Sequence, residues 1–233
     1  EARKSGMLTG EELASVARFL SLAKMTREHL AKHREAYPLF DSLSRQIRDF
    51  SEESDALGVL DDKGNLYDSA SPELAGIRHE LESLRRQIRR SAQNILDNPA
   101  LSHMLQERVT AFRNGHFVFL VRQEFVNRFP GTVVDRSGSG SSVYMEPSAL
   151  VPLNNRLALR IRDEKEEERA IFRRLTKVIL ARERPLSECE TILSDLDLFY
   201  GAAEVMAKKR WKLPQHAEKT MFILQEARHP LLG

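Results

Sequence analysis

The residues that could carry out chemistry in this chain are few, and none of them forms a complete catalytic set. His29 and His33 stand four residues apart, a spacing at which a helix could hold a metal ion, but no nearby acid completes the pattern. Cys189 lies between two glutamates and has no paired histidine that would activate its thiol. The stretch 137–142 is rich in glycine but lacks a lysine after Gly140 to hold a phosphate, so it is interpreted as a flexible loop. We therefore expect no catalytic residue, no metal ligand and no cofactor in this chain.

The carboxylates are also dense in one place, between residues 163 and 168. They occupy consecutive helical positions and so point around the helix, which favours a solvated or ion-paired face over an acid/base pair.

Residues suited to binding are more prominent, between positions 108 and 136. Five arginines stand there against Glu124 and Asp135, a local balance of five minus two, or +3. Arginine is well suited to phosphate contacts, and aromatic residues expected to be exposed lie between the arginines (Phe117, Phe125 and Phe129). The candidate nucleic-acid-binding residues are Arg113, His116, Arg122, Arg128 and Arg136. Charge that merely protects sheet edges from aggregation accounts for the arginines equally well.

The composition sets the frame for these residues. The chain has 233 residues, of which 41% are apolar, and its 36 basic and 34 acidic residues leave a net charge of +2. One cysteine excludes a disulfide framework and fits a cytoplasmic protein. No apolar run approaches the roughly 18 residues of a membrane helix, so no membrane partner is expected. Because the first residue is Glu1, the chain is expected to be a fragment.

The strongest structural signal is a pair of long helices. Ser71-Pro72-Glu73 is typical of a helix start and predicts a helix over 72–97. Its apolar residues recur in steps of three and four (Leu74, Ile77, Leu81, Leu84, Ile88 and Ile95), with Ser91 as a polar lapse. Similar spacing returns after Pro147 and runs to Pro185 (Leu150, Leu153, Leu157, Ile161, Ile171, Leu175 and Val178). If these helices are antiparallel, the arginines at 85–90 meet the acidic run at 162–169, as in a coiled-coil stalk.

Between these helices the period changes to that of strands. Asn114-Gly115 between two alternating runs predicts a hairpin of 109–113 and 116–122, and further strands are predicted at 132–135 and 142–145. Outside this region, helices are predicted at 11–25 (continuing to 37), 39–50 and 187–210, a small hairpin at 58–67 and a strand at 221–224. The fold class is therefore mainly α, with one small antiparallel β-sheet.

Several motifs in this order resemble the family of the second bacterial MutS paralogue, the MutS-two family. They are Leu66 to Leu74 with Ile77-Arg78, Leu105-Gln106-Glu107, Arg113-Asn114-Gly115, Pro130 to Asp135, Ser139-Gly140-Ser141, Glu146-Pro147, Leu153-Asn154-Asn155, Leu196-Asp197 and Ala227 to Leu232. The sequence departs from the family pattern at His116, at Leu120-Val121-Arg122 and in the loop Asp135 to Gly140.

The resemblance implies a helical MutS-type core, a long antiparallel coiled-coil lever and a β clamp at its tip. The corresponding segments are core 1–71, lever helix 72–106, clamp 107–146, lever helix 147–184 and core 185–233, the last running up to an ATPase domain. The segment itself would be non-catalytic. ATP and Mg would belong to the ATPase domain, and an endonuclease domain would follow in the parent protein.

For function, the resemblance implies a homodimeric ATP-dependent clamp that binds branched DNA, suppressing recombination, or stalled and collided ribosomes. The nucleic-acid partner would be branched DNA or ribosomal RNA. The alternative is a homodimerisation and protein-docking scaffold, built on the helices near 11–50 and 187–212, with no direct contact to nucleic acid.

Overall fold

The structure, a computed structural model, describes residues 6–136 and 141–212. The chain divides into two compact units, Glu1–Arg184 and Pro185–Gly233, which are described separately. The strand expected at 221–224 lies outside the described residues.

Three helices form the start of the first unit: α1 (Gly10–Lys32), α2 (Pro38–Gln46) and α3 (Ser51–Leu57). Thr9 caps α1, because its hydroxyl accepts from the backbone N–H of Glu12 while the Glu12 carboxylate accepts from that of Thr9. The helix predicted at 39–50 is confirmed as far as Gln46 and is wrong over its last four residues. The chain leaves the helix after Gln46, and α3 is a separate helix that the apolar spacing did not reveal.

The small hairpin expected at 58–67 is confirmed, because the backbone N–H groups of Asp61 and Tyr67 donate to the carbonyls of Asn65 and Val59. Leu60 and Leu66 form an antiparallel bridge, and between them the Asp61 carboxylate accepts from the backbone N–H groups of Lys63 and Asn65. Gly64 supplies a positive φ of 85° and lies directly against the backbone of Gly10, which docks this turn onto the start of α1.

The long helices are α4 (Pro72–Asp97), followed by the short α5 (Pro99–Ser102), and α6 (Val151–Leu180). Ser71 caps α4 as expected, its hydroxyl accepting from Leu74 N–H. The two long helices pack antiparallel, since Ser71 bonds Glu167 while Glu80, further along α4, pairs with Arg160. Below, α4 and α6 are called the helix pair.

The buried residues of the helix pair differ from the expected seams at a few positions. In α4 the expected polar residue in the buried series, Ser91, is wrong. Ala92 is buried instead, so the buried series is apolar throughout. In α6, Asn154 and Ile179 are buried, whereas Leu153, Ile161 and Val178 are half-buried.

The ion pairs between α4 and α6 are not formed by the arginines that the sequence suggested. Arg78, not the group at 85–90, contacts the acidic run, through Glu164 and Glu168. Within the described part of the chain no ion pair joins Arg85, Arg89 or Arg90 to a carboxylate, so the expectation is wrong in register although the helices are antiparallel.

The sheet has four antiparallel strands in the order β1-β2-β4-β3: β1 (Leu105–Arg113), β2 (His116–Arg122), β3 (Gly131–Arg136) and β4 (Ser142–Pro147). All four predicted strands are confirmed: β2 has the predicted bounds, β1 begins four residues earlier than predicted, and β3 and β4 are each two residues longer. One apolar cluster joins the sheet to the helix pair, in which Phe119, Val121 and Met145 are buried with Ile88, Ile95, Leu150 and Leu157. The sheet is therefore seated at the end of the helix pair at which α4 finishes and α6 begins.

In the second unit the described element is the main part of α7 (Glu183–Lys209). Most of its residues from 197 to 209 are exposed, among them Leu198, Phe199, Tyr200 and Val205.

Candidate nucleic-acid interface

The four candidate arginines are all exposed, but the sheet distributes them over two ends. Register places Arg122 beside Ser142 and Arg136 beside Val143, so these two flank the start of β4 at one end of the sheet. Arg113 pairs with His116 at the β1–β2 hairpin. Residues 116 and 122 are six apart, which corresponds to roughly 20 Å along a strand. Arg128 lies in the connection between β2 and β3.

Arg113 is held in place by an aromatic platform. Its guanidinium lies 4.9 Å from the centre of the Tyr144 ring, and its Nη2 donates to the Tyr144 hydroxyl at 3.3 Å. That hydrogen bond, with a smaller contribution from Asp135, raises the pKa of Arg113. The arginine therefore stays charged and oriented while its surface remains open to solvent. Tyr144 was not among the sequence candidates.

The His116 side chain forms a hydrogen bond with a buried carboxylate. Its Nδ1 lies 2.8 Å from Oε1 of Glu146, and since a carboxylate only accepts, Nδ1 must carry the proton. The same Glu146 oxygen accepts from Nδ2 of Asn154 at 2.7 Å. Glu146 and Asn154 are both buried, so the hairpin histidine is tied through Glu146 to the first turns of α6.

Asn154 also completes the sheet where β4 ends. Its Oδ1 accepts from the backbone N–H of Phe117, and its Nδ2 donates to the carbonyl of Phe117, both at 3.1 Å. Register pairs Phe119 with Met145, so Phe117 lies opposite Pro147, which has no N–H to donate. The amide side chain thus replaces a strand partner that proline cannot provide. We call His116, Phe117, Glu146 and Asn154 the junction network.

Gly131 allows the start of β3 to lie directly against the end of β4. A Cβ at Gly131 would collide with the backbone carbonyl of Glu146. Its neighbour Pro130 accepts from Ser148 N–H at 3.0 Å. The Pro130-Gly131 and Glu146-Pro147 motifs therefore contact each other where β3 begins and β4 ends.

A second polar centre, Arg78, lies at the other end of the helix pair. Its guanidinium donates to Asp68 at 2.7 Å, Glu164 at 2.9 Å and Glu168 at 3.0 Å, and also to the carbonyl of Leu66. Burial alone would lower the pKa of Arg78, but the carboxylate contacts outweigh burial and raise it. These bonds hold the segment before α4 and the acidic run of α6 together, which accounts for the Ile77-Arg78 motif.

The aromatic expectations are partly wrong. Phe129 is buried and Phe117 and Phe125 are half-buried, so Phe129 is unavailable for stacking on a base. Phe112, which sequence reasoning passed over, is 53% exposed and contacts the Phe117 ring edge-on. A signal for Asn154 was present, because it falls between Leu150 and Leu157 at the helical spacing of an apolar seam. A polar residue at such a position must find a buried partner.

The other candidate chemistries have the following geometry. In the ranges 6–136 and 141–212, no group of three His, Cys, Asp or Glu residues could hold a metal ion. The rings of His29 and His33 lie 4.8 Å apart. Burial raises the pKa of the Cys189 thiol, which opposes formation of a nucleophilic thiolate. None of the described helices has both the length and the apolar character of a membrane span.

Comparison with known proteins finds relatives that share one name. The chain is 30% identical over 236 residues to the protein named Endonuclease MutS2 of Geobacillus sp. (strain WCH70), and 31% identical over 241 residues to Putative endonuclease MutS2 of Bacillus subtilis (strain 168). It is 29% identical over 233 residues to Endonuclease MutS2 of Staphylococcus aureus. Each alignment covers 98–99% of this chain but only 30–32% of the relative.

No protein-family model matches the chain. The chain spans about 30% of the length of the curated relatives it matches, over nearly all of its own length. These similarities support the MutS-two family for this chain.

Proposed function

We propose that the chain is the core, lever and clamp segment of a MutS2-type clamp protein and that it grips nucleic acid through the phosphate backbone. In this proposal α4 and α6 are the lever and the four-stranded sheet is the clamp. Branched DNA and the RNA of a stalled ribosome offer the same phosphodiester chemistry to the sheet. The observation that carries the proposal is the set of exposed arginines on a small sheet mounted at the end of two long antiparallel helices.

Phosphate contact is the chemistry that this arrangement supports best. Arg113, Arg122, Arg128 and Arg136 are exposed at separate places on the sheet, which suits a backbone that passes across it better than a single small ligand. His116 takes a positioning role here, because its ring nitrogen is bonded to Glu146.

The junction network gives the clamp its mechanical coupling. Asn154 belongs to α6 but bonds the backbone of β2 and the carboxylate of β4. A movement of α6 would therefore carry the sheet with it. In the proposed function, this link conveys the nucleotide state of the parent protein to the arginines.

ATP chemistry lies elsewhere in this proposal. The stretch 137–142 lacks the lysine of a phosphate-binding loop, so ATP and Mg are assigned in this proposal to another part of the parent protein. The names of the relatives suggest that the parent protein is an endonuclease, and ATP hydrolysis and strand cleavage would both be carried out by other parts of it.

The test is fluorescence anisotropy of the chain with a labelled linear duplex, a four-way junction and a structured RNA over a salt series. The variant Arg113→Gln/Arg122→Gln/Arg128→Gln/Arg136→Gln should bind more weakly, and its salt slope on duplex DNA should be shallower by about 3.6, from about 0.9 for each phosphate contact. The control, Lys24→Gln/Lys32→Gln/Arg34→Gln/Lys63→Gln, removes the same charge from exposed positions in the first 71 residues. Equal binding by both variants would overturn the proposal, and the three ligands separate DNA from RNA.

A second candidate function, a homodimerisation scaffold, is favoured by one observation. On α7, Leu198 and Val205 are seven residues apart on one stripe, and they are 68% and 45% exposed. Light scattering at micromolar concentration should then give a dimer that Leu198→Asp/Val205→Asp dissociates. The control Val133→Asp changes an exposed apolar residue of β3 and should leave the dimer intact. A monomeric unmodified chain would exclude this candidate.

A further inference from the structure

Positive charge on the helix pair is concentrated in the part nearest the sheet. Residues 83–96 of α4 contain four arginines and no Asp or Glu. The antiparallel register set by Glu80 and Arg160 places residues 151–157 of α6 alongside residues 83–89, and this stretch of α6 contains Arg156 and no acidic residue. Apart from Asp97, the last residue of α4, the carboxylates of both helices lie in the other part, where Arg78 binds Glu164 and Glu168.

The arginines of α4 are free to bind an anion. Arg86 pairs with Glu82 at 3.1 Å, whereas Arg85, Arg89 and Arg90 are exposed and have no carboxylate partner within the ranges that the structure describes. Helical geometry puts Arg85 and Arg89 one turn apart, about 6 Å along the axis, on the same flank of α4. Glu82, one turn before Arg85, is the nearest acid on this flank, and its carboxylate pairs with Arg86.

This charge is continuous with the sheet. Arg108, at the start of β1, donates from Nη2 to the carbonyl of Leu96 in the last turn of α4, at 2.7 Å. The backbone N–H of Arg122 donates to Met104, just before β1. The end of the sheet that carries Arg122 and Arg136 therefore adjoins the end of α4, with Arg108 between them.

We infer that the flank of α4 carrying Arg85 and Arg89 is a second phosphate-binding surface, which extends the nucleic-acid contact from the sheet along the helix pair. This inference rests on the proposed function. The nucleic-acid backbone that meets Arg122 and Arg136 continues past Arg108 to the α4 arginines, and sequence is not read at any of these points because guanidinium–phosphate pairs carry no base information.

The experiment compares two charge-matched double variants of the whole chain in the anisotropy assay with linear duplex, four-way junction and structured RNA. Arg85→Gln/Arg89→Gln removes an i,i+4 pair near the sheet. Arg169→Gln/Arg173→Gln removes an exposed i,i+4 pair of α6 far from the sheet, again without a carboxylate partner among the described residues. Circular dichroism establishes that both variants are folded.

The expected result is a salt slope on duplex DNA that is shallower by about 1.8 for Arg85→Gln/Arg89→Gln and unchanged for the control. Between about 50 and 200 mM salt, the unmodified chain then loses about tenfold more affinity than the variant near the sheet. The duplex and RNA arms show which nucleic acid uses the surface.

Two other outcomes are distinguishable. If the unmodified chain binds and the sheet variant is impaired, but both double variants keep the full salt slope, this inference is overturned while the proposed function stands. If the unmodified chain binds none of the three ligands, the proposed function fails and the inference fails with it.

Discussion

At the scale of single residues, Asn154 is the side chain on which the sheet most depends. Asn154→Ala should leave the half-buried N–H and carbonyl of Phe117 without this partner, and Oε1 of Glu146 would keep only its bond to His116. We expect the free energy of unfolding to fall by about 2–4 kcal/mol, because each unsatisfied buried group costs about 1–3 kcal/mol. Urea unfolding followed by circular dichroism measures the change.

The adjacent Asn155 is a matched control, since it is exposed and has the same side chain. Asn155→Ala should change stability by less than about 0.5 kcal/mol. Equal effects of the two substitutions would show that the hydrogen bonds of Asn154 are not what stabilises the junction network.

Arg78 provides the corresponding test at the far end of the helix pair. Arg78→Ala should lower the free energy of unfolding by about 1–3 kcal/mol, because three carboxylates lose a half-buried partner, whereas Arg86→Ala removes an exposed pair worth less than about 0.5 kcal/mol. The pKa of Arg78 is raised in the folded chain, so its stabilisation is present below the ordinary arginine pKa and is lost only as pH rises through the higher folded value. The difference between the variants should therefore be measured near neutral pH, and its absence would contradict the role of Arg78.

At the scale of elements, the turn at 61–65 depends on Gly64. Gly64→Ala would force a side chain into positive φ and into the backbone of Gly10 and Glu11. Gly115→Ala has nearly the same φ, 87°, but open space around its Cβ. The latter should cost about 1–2 kcal/mol from backbone strain alone. In thermal unfolding Gly64→Ala should be clearly the more destabilising, and equal melting temperatures would exclude the collision.

The sequence predicted the elements well wherever one period ran for many residues. Local sequence was enough to predict α4 from its heptad-like spacing and its Ser71 cap, and the β1–β2 hairpin from Asn114-Gly115. These features depend on the backbone geometry of neighbouring residues alone. The break between α2 and α3 was missed, since Ile47 and Phe50 are buried without being helical and so imitate a continued stripe.

The candidate site was predictable in position but not in detail. The arginines were found because charge and exposure are properties of residue type. That His116 bonds Glu146, or that Phe129 is buried, depends on which strands are neighbours, and the pairing of β2 with β4 and of β4 with β3 is a long-range choice. The wrong partner expected for the arginines at 85–90 has the same origin. Counting residues outward from the two ends of the sheet does not determine which residues of α4 and α6 lie opposite each other, because the strands and their connections set the offset between the helices.

At the scale of the whole molecule, the two units should differ in their resistance to hydrogen exchange. Amides of β2 and of the buried stripe of α4 belong to the main apolar cluster and should exchange slowest. Amides at 198–209 of α7 should exchange much faster, because nearly all of these residues are exposed. Hydrogen exchange measured by mass spectrometry over a range of protein concentrations checks this. Protection of α7 that rises with concentration would instead support the homodimer.

The junction network and Arg78 together restrict how this architecture can vary in length. Asn154 must face β2 at one end of α6 while Glu164 and Glu168 face Arg78 further along. Inserting one residue between them would turn these faces apart by about 100°, whereas seven residues restore the facing to within about 20°. Longer or shorter versions of the helix pair should therefore arise only through matched insertions or deletions of seven residues in both α4 and α6. The reach of the sheet from the body of the protein would change in discrete increments of about 10 Å.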